Sequence, residues 1–190
     1  MNLPNKLTLL RMLLVPVFVV FLLWESCPHR FFIALVIFSI ASITDLLDGK
    51  IARKYNLVTD FGKFMDPIAD KLLVCAAFAA FVELGICSSW VLILVLAREF
   101  AVSSMRMIAA GSGKVVAANY WGKVKTASQM AVLIFVMLLQ EVMELGWLAS
   151  VNPTILLVVQ NVAIWVTVVL TVISGVVYLG QNKKFLDYRK

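Results

Sequence analysis

Long apolar runs separated by short polar stretches recur along the whole chain. They are Leu7–Leu23, Phe31–Leu47, Leu72–Ile86, Trp90–Ala110, Ser128–Leu139 and Ile155–Leu179. A helix needs about 17–25 residues to cross a bilayer, and only a helix satisfies its own backbone hydrogen bonds where lipid offers no partner. The third and fifth runs are short as they stand. They reach the required length if the polar residues before them, from Phe64 and from Val124, begin the same helices. The pattern predicts an all-α, polytopic membrane protein with six transmembrane helices.

Composition agrees with that reading. Of the 190 residues 62% are hydrophobic and only 15% charged, whereas a soluble domain is about one quarter charged. The length suits a single domain over residues 1–190. A net charge of +6 would suit nucleic acid, but its distribution argues for a membrane face instead. Of the 17 Lys and Arg, all but Arg30 fall at the N-terminus, between runs two and three, in and after run four, or in the tail. Positive residues mark cytoplasmic segments, so both termini and both basic loops are expected in the cytoplasm. Bilayer lipids, and no nucleic acid, are the expected surroundings. Glu25, Glu83, Glu141 and Glu144 then lie on the outer side. Cys27, Cys75 and Cys87 show no metal-ligand spacing, and a Cys27–Cys87 disulfide on the outer side is admissible. The first run carries Arg11 and no small-x-small cleavage site, so it reads as a retained span.

The chemistry concentrates between Asp45 and Asp70. Asp45 and Asp48 are three apart and Asp66 and Asp70 four apart, so each pair shares one helix face. The connecting stretch is short, which sets the two helices side by side with four carboxylates at the cytoplasmic ends of spans two and three. Four converging acids repel one another unless cations lie between them. Hard oxygen donors without His or Cys nearby suit Mg²⁺ or Mn²⁺. Two pairs suit two metals about 4 Å apart, which polarise a phosphoryl group and stabilise a leaving phosphate. Gly49, Ala52 and Gly62 keep the wall beside the acids low. Arg53 offers a guanidinium to a diphosphate, and Pro67 suits the first turn of the third helix.

The array Asp45-x-x-Asp48-Gly49-x-x-Ala52-Arg53, then eight residues, then Gly62-x-x-x-Asp66-x-x-x-Asp70 resembles the full signature of the CDP-alcohol phosphotransferase family. That family has a six-helix core, so the resemblance covers nearly the whole chain. It implies that Asp45, Asp48 and Asp66 are metal ligands, and that Asp70 both touches a metal and acts as general base. It also implies that Gly49, Arg53 and Thr59 line a CDP-lipid site, with Ala52 and Gly62 beside them.

The side-chain inventory fits direct displacement. The sole histidine, His29, is expected on the outer side, so a carboxylate must accept the proton of the attacking hydroxyl. No Ser/His or Cys/His pair suggests a covalent route. The acceptor hydroxyl is therefore expected to attack the lipid-side phosphorus, with CMP leaving.

Several cations continue along spans four and five. Arg98 lies near mid-span, Glu99 and Arg106 are seven apart with Ser103 between them, and Lys123 and Lys125 open span five before Gln129. Intramembrane Arg points to function. Arg98, Arg106, Lys123 and Lys125 are candidates to bind a phosphate on the acceptor, with an internal Glu99–Arg pair plus ordinary cytoplasmic-face lysines, Lys114 among them, as the plainer reading. The stretches from Asn2 to Arg11, from Arg98 to Arg106 and from Gly122 to Met130 resemble the bacterial branch of the same family that joins CDP-diacylglycerol to glycerol 3-phosphate. That resemblance implies a bacterial plasma membrane and places Thr8 and Arg11 beside the nucleotide. Asn5 is expected to cap the first helix. Acceptors such as inositol phosphate or serine remain open within the family. Outside it, a divalent-cation transporter remains open, although its acids belong near the bilayer midplane on broken helices. A homodimer is admissible.

Overall fold

The computed structural model describes the backbone of residues 2–54, 60–111 and 120–182, and their side chains except at 3–4, 45–54, 60–64, 66–67 and 70. These residues form helices α1 (Leu3–Leu23), α2 (Arg30–Lys54), α3 (Asp60–Glu83), α4 (Ser89–Gly111), α5 (Tyr120–Glu144) and α6 (Pro153–Gln181). Each apolar run lies within one helix, except that the third runs past the end of α3 at Glu83. The polar stretches before the two short runs are helical, as expected, and α3 and α5 start even earlier than Phe64 and Val124.

Two local expectations are corrected. α1 begins at Leu3 with Pro4 in its first turn, so Asn5 lies inside the helix and is buried rather than capping it. Proline suits a first turn because its missing N–H has no partner there, and that sets the start ahead of Asn5. Pro67 lies well inside α3, because the polar segment from Asp60 is itself helical. The helix forgoes one backbone hydrogen bond there.

Helix ends follow local chemistry. α3 closes on Gly85, whose φ of 68° requires the left-handed region. Gly85 N–H donates to the Val82 carbonyl and Ile86 N–H to the Phe81 carbonyl, the paired bonds of a Schellman stop. α6 opens on Asn152, whose side chain accepts from Thr154 N–H, followed by Pro153.

Among the described residues, three helices are long and apolar enough to cross a bilayer: Asn5–Leu23, Tyr120–Glu144 and Pro153–Gln181. α4 carries Arg98, Glu99 and Arg106 within its apolar sequence. Leu13, Val20, Phe100, Met107 and Val176 are all more than half exposed. An apolar exterior on this scale belongs to a membrane protein, whose surroundings are lipid.

The chain divides into two compact units. The first comprises Met1–Ile86 and Ile134–Val151, the second Cys87–Leu133 and Asn152–Lys190. In the first, α1 packs along α2 and α3, which touch each other little among the described residues. Its core joins Val15, Phe18 and Leu22 of α1 to Phe31, Ala34 and Phe38 of α2 and Leu73, Ala77 and Phe81 of α3. Phe18 and Phe38 meet with ring centroids 5.7 Å apart. In the second unit α4 packs on α6, with Val102, Met105, Tyr178 and Leu179 together. Cys27 and Cys87 are unbridged thiols.

Candidate active site

The buried face of α1 changes character along its length. From the C-terminal end it reads Leu22, Phe18, Val15, then Arg11, Thr8 and Asn5, all buried. The apolar half is ordinary core. The polar half places a guanidinium, a hydroxyl and an amide inside a membrane protein, where each needs a partner.

The neighbouring helices change at the same end of this unit. On α2 the buried series is Phe31, Ala34, Phe38 and Ala41. The same alternation of three and four residues continues to Asp45 and Asp48. On α3 the buried series Leu73, Ala77 and Ala80 extends backwards by the same spacing to Asp70 and Asp66. The helical backbone runs unbroken through all four aspartates. Because α1 and α2 join through a short turn, the N-terminus of α1, the C-terminus of α2 and the N-terminus of α3 share one end. The sequence-predicted residues Thr8, Arg11, Asp45, Asp48, Gly49, Ala52, Arg53, Gly62, Asp66 and Asp70 therefore belong to one end of one unit. Thr8 and Arg11 are described in full. For the other eight the backbone is described and the side chains lie outside the description, and Thr59 lies outside the described residues altogether.

The four acids supply oxygen donors only, at helical spacings that repeat along one face of each helix. That donor set fits hard divalent cations. The one histidine is remote. His29 precedes α2, while Asp45 and Asp48 lie roughly 24–28 Å along the same helix axis at 1.5 Å per residue.

At that far end the polar groups pair, with Glu141 buried and His29 exposed. His29 Nδ1 lies 2.7 Å from Glu141 Oε1, and Phe32 N–H donates to Glu141 Oε2 at 3.1 Å. Arg30 donates twice to Glu144 Oε1, through Nε at 3.0 Å and Nη2 at 2.7 Å. His29 adopts a φ of 57°, in the left-handed region. These contacts tie the start of α2 to the end of α5.

The second unit holds the cationic candidates. Arg98 Nη1 donates to Glu99 Oε1 at 3.0 Å and Nη2 to Ser174 Oγ at 2.8 Å. Lys125 Nζ donates to the same Glu99 oxygen. Buried charges of this kind each cost several kcal/mol unless paired, and Glu99 supplies the pairing. Arg106 is exposed at its side chain's edge, where Nε donates to the Tyr178 hydroxyl at 3.2 Å and the guanidinium lies 5.5 Å from that ring. Lys123 is exposed on the first turn of α5. Ser103 donates to the Glu99 carbonyl of its own helix at 2.6 Å. Lys114 lies outside the described residues.

Sequence reasoning missed the contribution of α6. Its buried face carries Gln160, Thr167, Thr171, Ser174 and Tyr178. Gln129 Nε2–H donates to Thr171 Oγ1 at 3.2 Å, and Thr171 in turn donates to the Thr167 carbonyl at 2.8 Å. Gly175 lets the Arg98 stem pass close, since a Cβ there would stand 3.0 Å from Arg98 Cγ. The signal was present: Gln160, Thr167 and Ser174 recur every seven residues, as do Thr171 and Tyr178.

The sequence model described as CDP-alcohol phosphatidyltransferase matches residues 1–173. A Bacillus subtilis (strain 168) protein named CDP-diacylglycerol–glycerol-3-phosphate 3-phosphatidyltransferase is 42% identical over 192 aligned residues, covering 95% of each chain. A Rickettsia bellii (strain RML369-C) protein of the same name is 38% identical, covering 97% of each. A Mycobacterium tuberculosis (strain CDC 1551 / Oshkosh) protein named probable phosphatidylglycerophosphate synthase is 38% identical, over 95% of this chain and 81% of its own length.

Proposed function

The chain belongs to the CDP-alcohol phosphatidyltransferase family, and from that premise we propose that it transfers the phosphatidyl group of CDP-diacylglycerol to glycerol 3-phosphate. The products are phosphatidylglycerophosphate and CMP, which makes it a transferase of phospholipid biosynthesis. Relatives similar over nearly the full length carry that activity in their names. The observation that carries the chemistry is the polar end of the first unit. There the spacing of the buried residues of α2 and α3 continues in sequence to Asp45, Asp48, Asp66 and Asp70, at the same end of the unit as the buried Thr8 and Arg11 of α1.

Asp45, Asp48, Asp66 and Asp70 would hold two divalent cations, Mg²⁺ or Mn²⁺, which when bound polarise the phosphoryl group and offset charge on the departing CMP. Thr8, Arg11, Gly49, Ala52, Arg53, Thr59 and Gly62 bind the CDP-lipid. Arg98, Arg106, Lys123 and Lys125 serve the phosphate of the acceptor. Asp70 takes the proton from the acceptor hydroxyl as its oxygen bonds to the lipid-side phosphorus. The bond from that phosphorus to the CMP oxygen breaks, and CMP leaves with its electron pair. One domain with six spans, both termini in the cytoplasm of a bacterial cell and the site at the cytoplasmic interface fits this chemistry, because the polar substrates arrive from water and the acyl chains from lipid. A second copy of the chain is an admissible partner.

An acceptor panel tests the proposal. Purified protein with CDP-diacylglycerol and Mg²⁺ should release CMP with glycerol 3-phosphate, and far more slowly with inositol phosphate or serine. Preference for either of the latter would overturn the acceptor assignment.

A further inference from the structure

Glu99 lies between two cations. Arg98 approaches its Oε1 from the same helix and Lys125 approaches that oxygen from α5. All three side chains are about nine-tenths buried, at 10%, 11% and 6% exposure for Arg98, Glu99 and Lys125. Two cations confined this closely in a low-dielectric interior repel each other strongly. One shared carboxylate cancels one charge and fixes both heads. From α6, Ser174 accepts from Arg98 Nη2, and Gly175 leaves room for the arginine stem. Arg98 is thus held through two of its three nitrogens, while the buried Nε has no hydrogen-bond partner among the described residues.

We propose that Glu99 is a positioning residue for acceptor binding: it holds Arg98 and Lys125 in place before the acceptor arrives, with Ser174 fixing Arg98 from the opposite helix. The ligand is an anion of the phosphate-monoester class, and this inference rests on the acceptor reading above. Glu99 does not touch the phosphate, which it would repel. It acts through the two cations, allowing them to be buried together, with an open donor at Arg98 Nε among the described residues.

The test uses the full chain in detergent micelles containing CDP-diacylglycerol, and varies each substrate in turn. Loss of a hydrogen bond to a charged group corresponds to roughly ten- to a hundredfold. Glu99→Gln should therefore raise KM for glycerol 3-phosphate about tenfold or more, while KM for CDP-diacylglycerol stays within about twofold. Glu99→Asp should restore part of the loss. Ser174→Ala, which removes only the hydroxyl partner of Arg98, should raise the acceptor KM about threefold. An unchanged acceptor KM in Glu99→Gln, or a parallel rise for both substrates, overturns the positioning role. If Glu99→Gln does not fold, Ser174→Ala decides, and an unchanged acceptor KM there also overturns it. A wild-type protein that releases no CMP with glycerol 3-phosphate overturns the acceptor reading and this inference together; a normal wild type with flat variants overturns this inference alone.

Discussion

The two ends of the first unit use similar side chains for different purposes. At one end Asn5, Thr8 and Arg11 are buried on α1, at the level where α2 and α3 carry their aspartates. At the other, each pair joins one exposed and one largely buried side chain: His29 is 57% exposed against 8% for Glu141, and Glu144 40% against 15% for Arg30. Exposed pairs are screened by water and contribute little, typically below about 1 kcal/mol. Buried polar groups are costly unless paired, as Glu141 is by His29 and the Phe32 N–H. One end ties two segments together through paired charges, while the other gathers the buried polar groups of α1 at the level of the aspartates.

The largest expected effect lies at the buried end. Removal of divalent cations by exhaustive chelation should abolish CMP release, with recovery on adding Mg²⁺; full activity after chelation would break the assignment of the four aspartates. Next, Asp70→Asn should lower kcat by about 10²–10⁴-fold, the usual contribution of a general base, while CDP-lipid binding persists. Direct displacement also predicts inversion at phosphorus, which a chiral phosphorothioate CDP-lipid would report. Retention would instead make an aspartate the nucleophile.

Arg11→Ala should raise KM for CDP-diacylglycerol about tenfold, in the range of a hydrogen bond from a charged group. An equal rise for the acceptor would remove the distinction between nucleotide and acceptor residues. At the His29 end, Arg30→Ala removes both hydrogen bonds to Glu144 and should lower stability by about 1 kcal/mol or more, while kcat and both KM values stay as they are. A large loss of activity there would erase the contrast between the two ends.

The smallest effect concerns the thiols. Burial pushes the Cys87 thiol up to about 11, so its thiolate is scarce at pH 8. Cys27 is only partly buried. Maleimide at pH 8 should modify Cys27 first, and labelling of Cys87 should quicken as pH rises towards 11. Equal rates at pH 8 would contradict the buried environment of Cys87.

Much of this organisation was legible in the sequence because it repeats. Six apolar runs gave six helices, and the four aspartates fall on the helical backbone of α2 and α3. The starts of α1 and α3 are harder to read, because Asn5 resembles a cap and Pro67 a helix opening, whereas Pro4 and the helical segment from Asp60 set the starts earlier. The tertiary pairing of Glu99 was legible only in outline. An adjacent Arg98 was visible in sequence, but the shared oxygen with Lys125 and the contribution of Ser174 depend on which helices pack together. Single-residue patterns on α4 and α5 do not encode that choice. The seven-residue recurrence on α6 does, and it marks the face on which polar groups are buried.

Glu141 has a consequence for biosynthesis. Its carboxylate accepts the N–H of Phe32, a residue 109 positions earlier in the chain. At about 5–20 residues per second of translation, that N–H emerges roughly 5–20 s before its partner exists. The opening turn of α2 must therefore rely on water or interim contacts while α3, α4 and most of α5 are made. The His29 end of the first unit is thus completed late, and a nascent chain halted before Glu141 would carry its first three helices without the residue that joins them to the fifth.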